Sequence, residues 1–241
     1  MALTLVMAHG WGLGPGLWRP MRRHLEPHWP VQAIDLGFVG AGDWQTPPAG
    51  EWVGVGHSLG GQWLMQGLVT QQNPECADPH PWGAEAWTRC RGLCFIAAAP
   101  RFAHAEGFAE GVSPRILQRM RKRLGEDPAQ VLKEFGQRGG VPDFMNRGAP
   151  ATLDAARLDA GLAWLADWDA RDALAATPLP WRLIAAQDDP VMTPSMLRAA
   201  YGACADDPQI SHWMADGGHM LPLTRAAQCA QTLMRFLETL A

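Results

Sequence analysis

Residues 54–64 read GVGHSLGGQWL, and within them Gly56-His57-Ser58-Leu59-Gly60 has the Gly-x-Ser-x-Gly spacing of a nucleophile elbow, a sharp strand-to-helix turn that lifts a serine hydroxyl clear of a sheet. A free hydroxyl is a poor nucleophile, so this chemistry needs a base to take its proton and a carboxylate to orient the base. His219, in DGGHMLP, and Asp188, in DDPV, supply those residue types. Asp189 competes for the acid role, and the Asp-x-x-Val spacing of residues 188–191 favours Asp188. The order Ser, Asp, His along the chain is one of the known orders of the catalytic triad. A developing oxyanion needs preorganised donors, here the backbone N–H of Leu59, just after the serine, and of Trp11, in HGWG (9–12). His57 and His9 read as structural: neighbouring side chains diverge in a sharp turn, and His9 is placed to brace the oxyanion loop. In a chain with 26 glycines the pentapeptide alone is a weak signal, so the partners give it weight.

These groups need a frame. Short apolar runs at 3–8, 31–35, 51–56, 92–98, 181–186 and 209–214 alternate with helical patterns such as Leu59 to Thr70 and Leu223 to Leu240. Near-continuous apolar character marks strands buried on both faces, hence a parallel, doubly wound α/β sheet covered by helices. Ligands of such sheets bind outside the carboxyl ends of the strands, where His9 to Gly12, Ser58, Asp188 and His219 all fall. Residues 101–175 contain helical patterns and no convincing strand. The expected division is therefore a core of 1–100 and 176–241 with an inserted helical cap of 101–175. Within the cap, Ile116, Leu117, Met120 and Leu124 form an apolar stripe, and Arg115, Arg119, Lys122 and Arg123 lie on another face.

Bulk properties narrow the classes further. A chain of 241 residues with 47% hydrophobic content can fill one large core. A net charge of −4 gives no overall basic field for nucleic acid, and no stretch approaches the length of a membrane-spanning helix. The N-terminal apolar run has no basic segment before it and no small-residue cleavage site after it, so no signal peptide and a cytoplasmic location are expected. The five cysteines are an odd number without metal-ligand spacing, and no metal, cofactor or nucleotide motif is present. A monomer is expected.

With HGWG, GHSLGG, DDPV and GGHMLP in place, the chain resembles the α/β-hydrolase superfamily. The segments HGWGLGPGLWRPM (9–21), IAAAPRF (96–102) and GLAWLADWDARDAL (161–174) make it similar to the pimeloyl-acyl-carrier-protein methyl ester esterases of biotin synthesis. That resemblance implies a triad of Ser58, Asp188 and His219, oxyanion donors at Trp11 and Leu59, and a substrate-lining cap stretch of Phe135, Gly136, Gln137, Arg138 and Gly139. It also implies hydrolysis of a methyl ester on a diacid chain carried by acyl carrier protein. Residues 113–138 hold seven Lys or Arg against three Asp or Glu, a local +4 that leaves −8 for the rest of the chain, and this suits docking of an acidic carrier. The chain departs from the family in lacking the usual N-terminal hairpin and in a 35–51 segment too short for the usual helix. Gln130 and Glu134 also stand where relatives place arginines. A general carboxylesterase, a carbon–carbon bond hydrolase and a non-catalytic binding protein of the same fold are the alternatives.

Overall fold

The computed structural model of the chain describes residues 3–25, 29–40, 42–44, 46–141 and 153–240. Six strands, β1 (Thr4–Ala8), β2 (Val31–Ile34), β3 (Trp52–His57), β4 (Cys90–Ile96), β5 (Trp181–Ala186) and β6 (Ser211–Met214), form one sheet in the order β2-β1-β3-β4-β5-β6. Every pair is parallel. The apolar runs of the sequence form these strands because each strand is covered on both faces. Leu5, Met7, Val53, Val55, Cys94, Ile96 and Ile184 pack into one buried cluster. Val6, Ala8, Trp52, Leu93, Phe95 and Leu183 pack into the other. The alternation follows from the two-residue period of a strand, which sends successive side chains to opposite layers.

The helices are α1 (Arg19–Arg22), α2 (Leu59–Gln72), α3 (Gly83–Trp87), α4 (Pro114–Leu124), α5 (Pro128–Gly139), α6 (Ala155–Asp167), α7 (Arg171–Ala176), α8 (Pro194–Tyr201), α9 (Leu221–Thr224) and α10 (Ala226–Glu238). The apolar face of α10 (Cys229, Ala230, Leu233, Phe236, Leu237) belongs to the first cluster, and α2 to the second, so helices cover both sides of the sheet. The stretch 223–240, expected as one helix, is broken at Arg225, whose φ of −132° lies outside the helical range.

Between β4 and β5 the described residues hold α4 to α7 and no strand of the sheet. Residues 142–152 of the expected cap lie outside the described residues. Of the expected apolar stripe on α4, Leu117 and Leu124 are buried and Met120 packs against the core, but Ile116 is 40% exposed. Its Cβ lies about 100° around the helix from that of Leu117, off the stripe that meets α5 and α6. From 35 to 51 there is no helix among the described residues; an antiparallel bridge from Asp35 to Asp43 folds the segment back instead.

Candidate active site

The strand order reverses between β1 and β3, and at such a switch point the loops leaving two adjacent strands diverge and open a crevice. His9 to Gly12 follow β1 and Ser58 follows β3 directly. Ser58 has φ 53° and ψ −123°, a conformation that costs a residue with a side chain about 1–3 kcal/mol and persists only when its surroundings enforce it. Those surroundings are backbone. The Ser58 N–H donates to the Ile96 carbonyl at 3.0 Å, and the Ser58 carbonyl accepts from Gly61 N–H at 2.9 Å. A Cβ on Gly60 would stand 2.1 Å from the Ala8 oxygen, and one on Gly56 2.4 Å from the Gly61 Cα. The glycines therefore let α2 start against β1 and β3, and its N-terminus lies beside the hydroxyl with the positive end of its dipole.

His219 lies in the loop between β6 and α9 and is 2% exposed. Its Nε2 is 3.0 Å from Ser58 Oγ, and its Nδ1 is 2.9 Å from Oδ2 of Asp189. The acid beside the imidazole is thus Asp189, not Asp188 as the Asp-x-x-Val spacing favours. The reason is local. Asp189 is buried, and its Oδ1 accepts the N–H groups of Val191 (2.8 Å) and Met192 (2.9 Å), a turn that fixes the carboxylate and leaves Oδ2 for the ring. Asp188 is exposed and turns away, accepting from the backbone N–H of Gly217 (3.3 Å) and Gly218 (2.8 Å). The signal for Asp189 in the sequence is the following Pro190, since Asp-Pro favours turn initiation.

His9 and His57 both serve the backbone. His9 is fully buried; its Nδ1 donates to the Gly10 carbonyl at 2.9 Å and its Nε2 accepts the Leu36 N–H at 3.0 Å, which ties the loop after β1. His57 Nε2 donates to the His219 carbonyl at 2.9 Å. Burial, reinforced by the neighbouring His219, holds the His57 imidazole down at about 3.

Trp11 is buried, donates its indole N–H to the Leu158 carbonyl on α6 at 2.9 Å, and meets Phe135 of α5 edge to face at 5.0 Å. Gly161 makes room for it, because a Cβ there would stand 2.7 Å from the indole. Leu59 opens α2, where the first N–H groups have no intrahelical acceptor, and among the described residues none is paired with the backbone N–H of Leu59 or Trp11.

Helix α5 brings the 135–139 stretch to this site. Asp127 caps its start by accepting the Gln130 N–H, and Gly140, with φ 74°, ends it. Phe135 and Gly139 line a narrow cavity, with room for about one water, together with Trp11, Ser58 and His219. Gly139 lies beside the His219 ring, where a Cβ would stand 3.8 Å away in ordinary van der Waals contact. Gln137 and Arg138 border the more open cleft beside Asp188 and Gly218. Gly136 lines neither; its carbonyl accepts the Val141 N–H. Gly10, expected at this strand end, also lines the cavity; sequence reasoning missed Leu13, Val141 and Met220, although Leu13 and Met220 are close in sequence to a named site residue.

On the outer face of α4, Arg115, Arg119 and Lys122 are exposed and carry no ion pair among the described residues. Arg123 differs: Glu134 accepts from both its terminal nitrogens, at 2.6 and 2.7 Å, and Gln130 donates to the same carboxylate. The Arg123 guanidinium holds the Glu134 carboxyl at about 2, so the pair stays ionised and its charges cancel.

The arrangement allows His219 to accept the Ser58 proton while Asp189 stabilises the resulting imidazolium. No family model matches the chain. It is 29% identical, over 98% of its own length and 96% of the other's, to the pimeloyl-[acyl-carrier protein] methyl ester esterase of Xanthomonas campestris pv. campestris. Among solved structures it superposes on a bromoperoxidase from Bacillus anthracis with a TM-score of 0.76 at 18% identity, covering 99% of this chain and 92% of that one. An esterase from Exiguobacterium antarcticum matches with a TM-score of 0.73 at 16% identity, covering 98% and 92%. The chain thus has the α/β-hydrolase fold and, at 27–29% identity over its full length, is similar to the pimeloyl-acyl-carrier-protein methyl ester esterases.

Proposed function

We propose that the chain is a serine esterase in which Ser58 Oγ attacks an ester carbonyl, His219 takes the serine proton, and Asp189 orients and stabilises the imidazolium. The negative oxygen of the tetrahedral intermediate is received by the backbone N–H of Leu59 and Trp11. His219 then returns the proton to the departing alcohol, leaving an acyl-enzyme on Ser58. A water, deprotonated by His219, releases the acid and restores the serine. The observation that carries this reading is the unbroken line from Ser58 Oγ through His219 to Asp189, with both contacts at 3.0 Å or less.

The substrate we favour is the methyl ester of pimeloyl-acyl carrier protein, cleaved to methanol and the free acid in biotin synthesis. The relatives carry that name, and the narrow cavity walled by Trp11, Leu13, Phe135, Val141 and Met220 presents apolar side chains to the alkyl part of an ester. Residues 101–175 act as the cap. Its helix α4 offers Arg115, Arg119 and Lys122 to an acidic carrier, and the end of α5 borders His219 of the core, so the docking lobe adjoins the catalytic groups. The five unpaired cysteines fit a reducing cytoplasm. Neutralisation of Arg123 by Glu134 favours a second reading, a general carboxylesterase with no carrier. Turnover of methyl-pimeloyl-carrier protein against p-nitrophenyl acetate decides. The carrier reading expects a much higher kcat/KM for the carrier-bound ester, and equal or lower values would leave only the general esterase.

A further inference from the structure

The proposed general base sits on a loop rather than on a strand or helix, and a misplacement of about 1 Å at a reacting group costs about a hundredfold in rate. Asp189 holds the His219 ring, but a ring contact alone does not fix the backbone that carries it. Thr224 donates its hydroxyl to the carbonyls of Gly217 and Met220 on either side, and two further side chains hold the backbone next to the imidazole itself. Asp188 accepts from the N–H of Gly217 and of Gly218, the two residues immediately before His219, whose φ values of 124° and 62° make a turn that only glycine adopts readily. The buried His57 holds the carbonyl of His219 itself.

We propose that Asp188 and His57 are positioning residues that set the His219 imidazole through its loop backbone, so that the adjacent carboxylates divide the work: Asp189 takes the ring and Asp188 the loop. The proposal rests on His219 being the general base. Its chemistry is specific. A carbonyl can only accept, so His57 Nε2 carries the proton and Nδ1 is bare; Nδ1 finds no donor among the described residues. The brace therefore needs one neutral donor at the Nε2 position. Asp188 needs two acceptors, since Oδ2 takes the Gly217 N–H and Oδ1 the Gly218 N–H.

The test is steady-state turnover of p-nitrophenyl acetate together with the downfield proton resonance of the His219–Asp189 hydrogen bond. Asp188→Ala, a surface truncation, is expected to lower kcat about tenfold with KM within about twofold and to broaden that resonance. Asp188→Asn keeps one accepting oxygen, for Gly218, and loses the longer bond to Gly217, so its kcat is expected between those of wild type and Asp188→Ala. His57→Gln, which offers a donor near Nε2, is expected to exceed His57→Leu by about tenfold. Should His57→Leu fail to fold, His57→Asn, too short to reach the carbonyl, takes its place. Wild-type kcat and resonance in Asp188→Ala would overturn the role of Asp188, as would an Asp188→Asn no more active than Asp188→Ala. Equal rates for His57→Gln and its partner variant would overturn that of His57. Ser58→Ala run in parallel separates the two levels: full activity there sinks the esterase reading, whereas activity lost there but intact in Asp188→Ala and His57→Leu sinks only the positioning role.

Discussion

Nδ1 of His219 lies 2.9 Å from Oδ2 of Asp189, while Asp188, its neighbour in the chain, reaches the backbone of the two residues before that histidine. Two adjacent carboxylates of one chemistry therefore have separate tasks, set by a turn that buries one and exposes the other.

Asp189→Asn is expected to lower kcat by about three to four orders of magnitude, because an amide orients the imidazole wrongly and does not stabilise its cation. Asp188→Asn is expected to cost far less. Steady-state kinetics of the two variants on one chromogenic ester check the assignment, and a reversed ranking would return the acid role to Asp188.

Gly60→Ala places a methyl group 2.1 Å from the Ala8 oxygen, a backbone atom with little freedom to yield. The expected loss is about 2–3 kcal/mol of stability, with turnover reduced as well because the elbow shifts with it. Urea melts of the wild type and variant measure this, and an unchanged midpoint would show that α2 does not pack against β1 as tightly as described.

Acid should unfold the protein through two buried histidines. His57 and His80 are both held at about 3 in the folded state, chiefly by burial, against an unfolded value of 6.5. Between those values the unfolded chain binds protons that the folded one refuses. Stability is thus full above pH 6.5 and falls as the pH drops toward 3, by up to about 1.4 kcal/mol per pH unit for each group. Unfolding free energies measured across that window check the slope, and replacing His80 with Phe should reduce it; a flat profile contradicts the neutral, buried state of both rings.

Charge reversal at Arg119 and Lys122 should lower kcat/KM for a carrier-bound ester by about tenfold or more and leave p-nitrophenyl acetate turnover within about twofold, with the effect fading as salt rises. Parallel assays on the two substrates separate docking from catalysis. Equal losses on both would assign these residues to the fold rather than to a partner.

Much of this was legible in the sequence for a physical reason. Strands buried on both faces read as apolar runs, and the elbow needs glycines where Gly56 and Gly60 stand, so the sheet and the Ser58–His219 pair followed from pattern alone. What the sequence did not reveal depends on single backbone angles. The choice between Asp188 and Asp189 turns on which carboxylate the Val191 and Met192 amides capture. The break at Arg225 interrupts an apolar period that continues on both sides. The exposure of Ile116 and the pairing of Arg123 with Glu134 depend on how α4 and α5 lie together, which helical periodicity within one element does not specify.

The most direct test of the central claim is mass spectrometry of the protein quenched during turnover of p-nitrophenyl acetate. The account predicts one acetyl group per chain, carried on the peptide that contains Ser58 and absent from Ser58→Ala, whose turnover falls to background. An adduct on another residue, or wild-type turnover by Ser58→Ala, would contradict it.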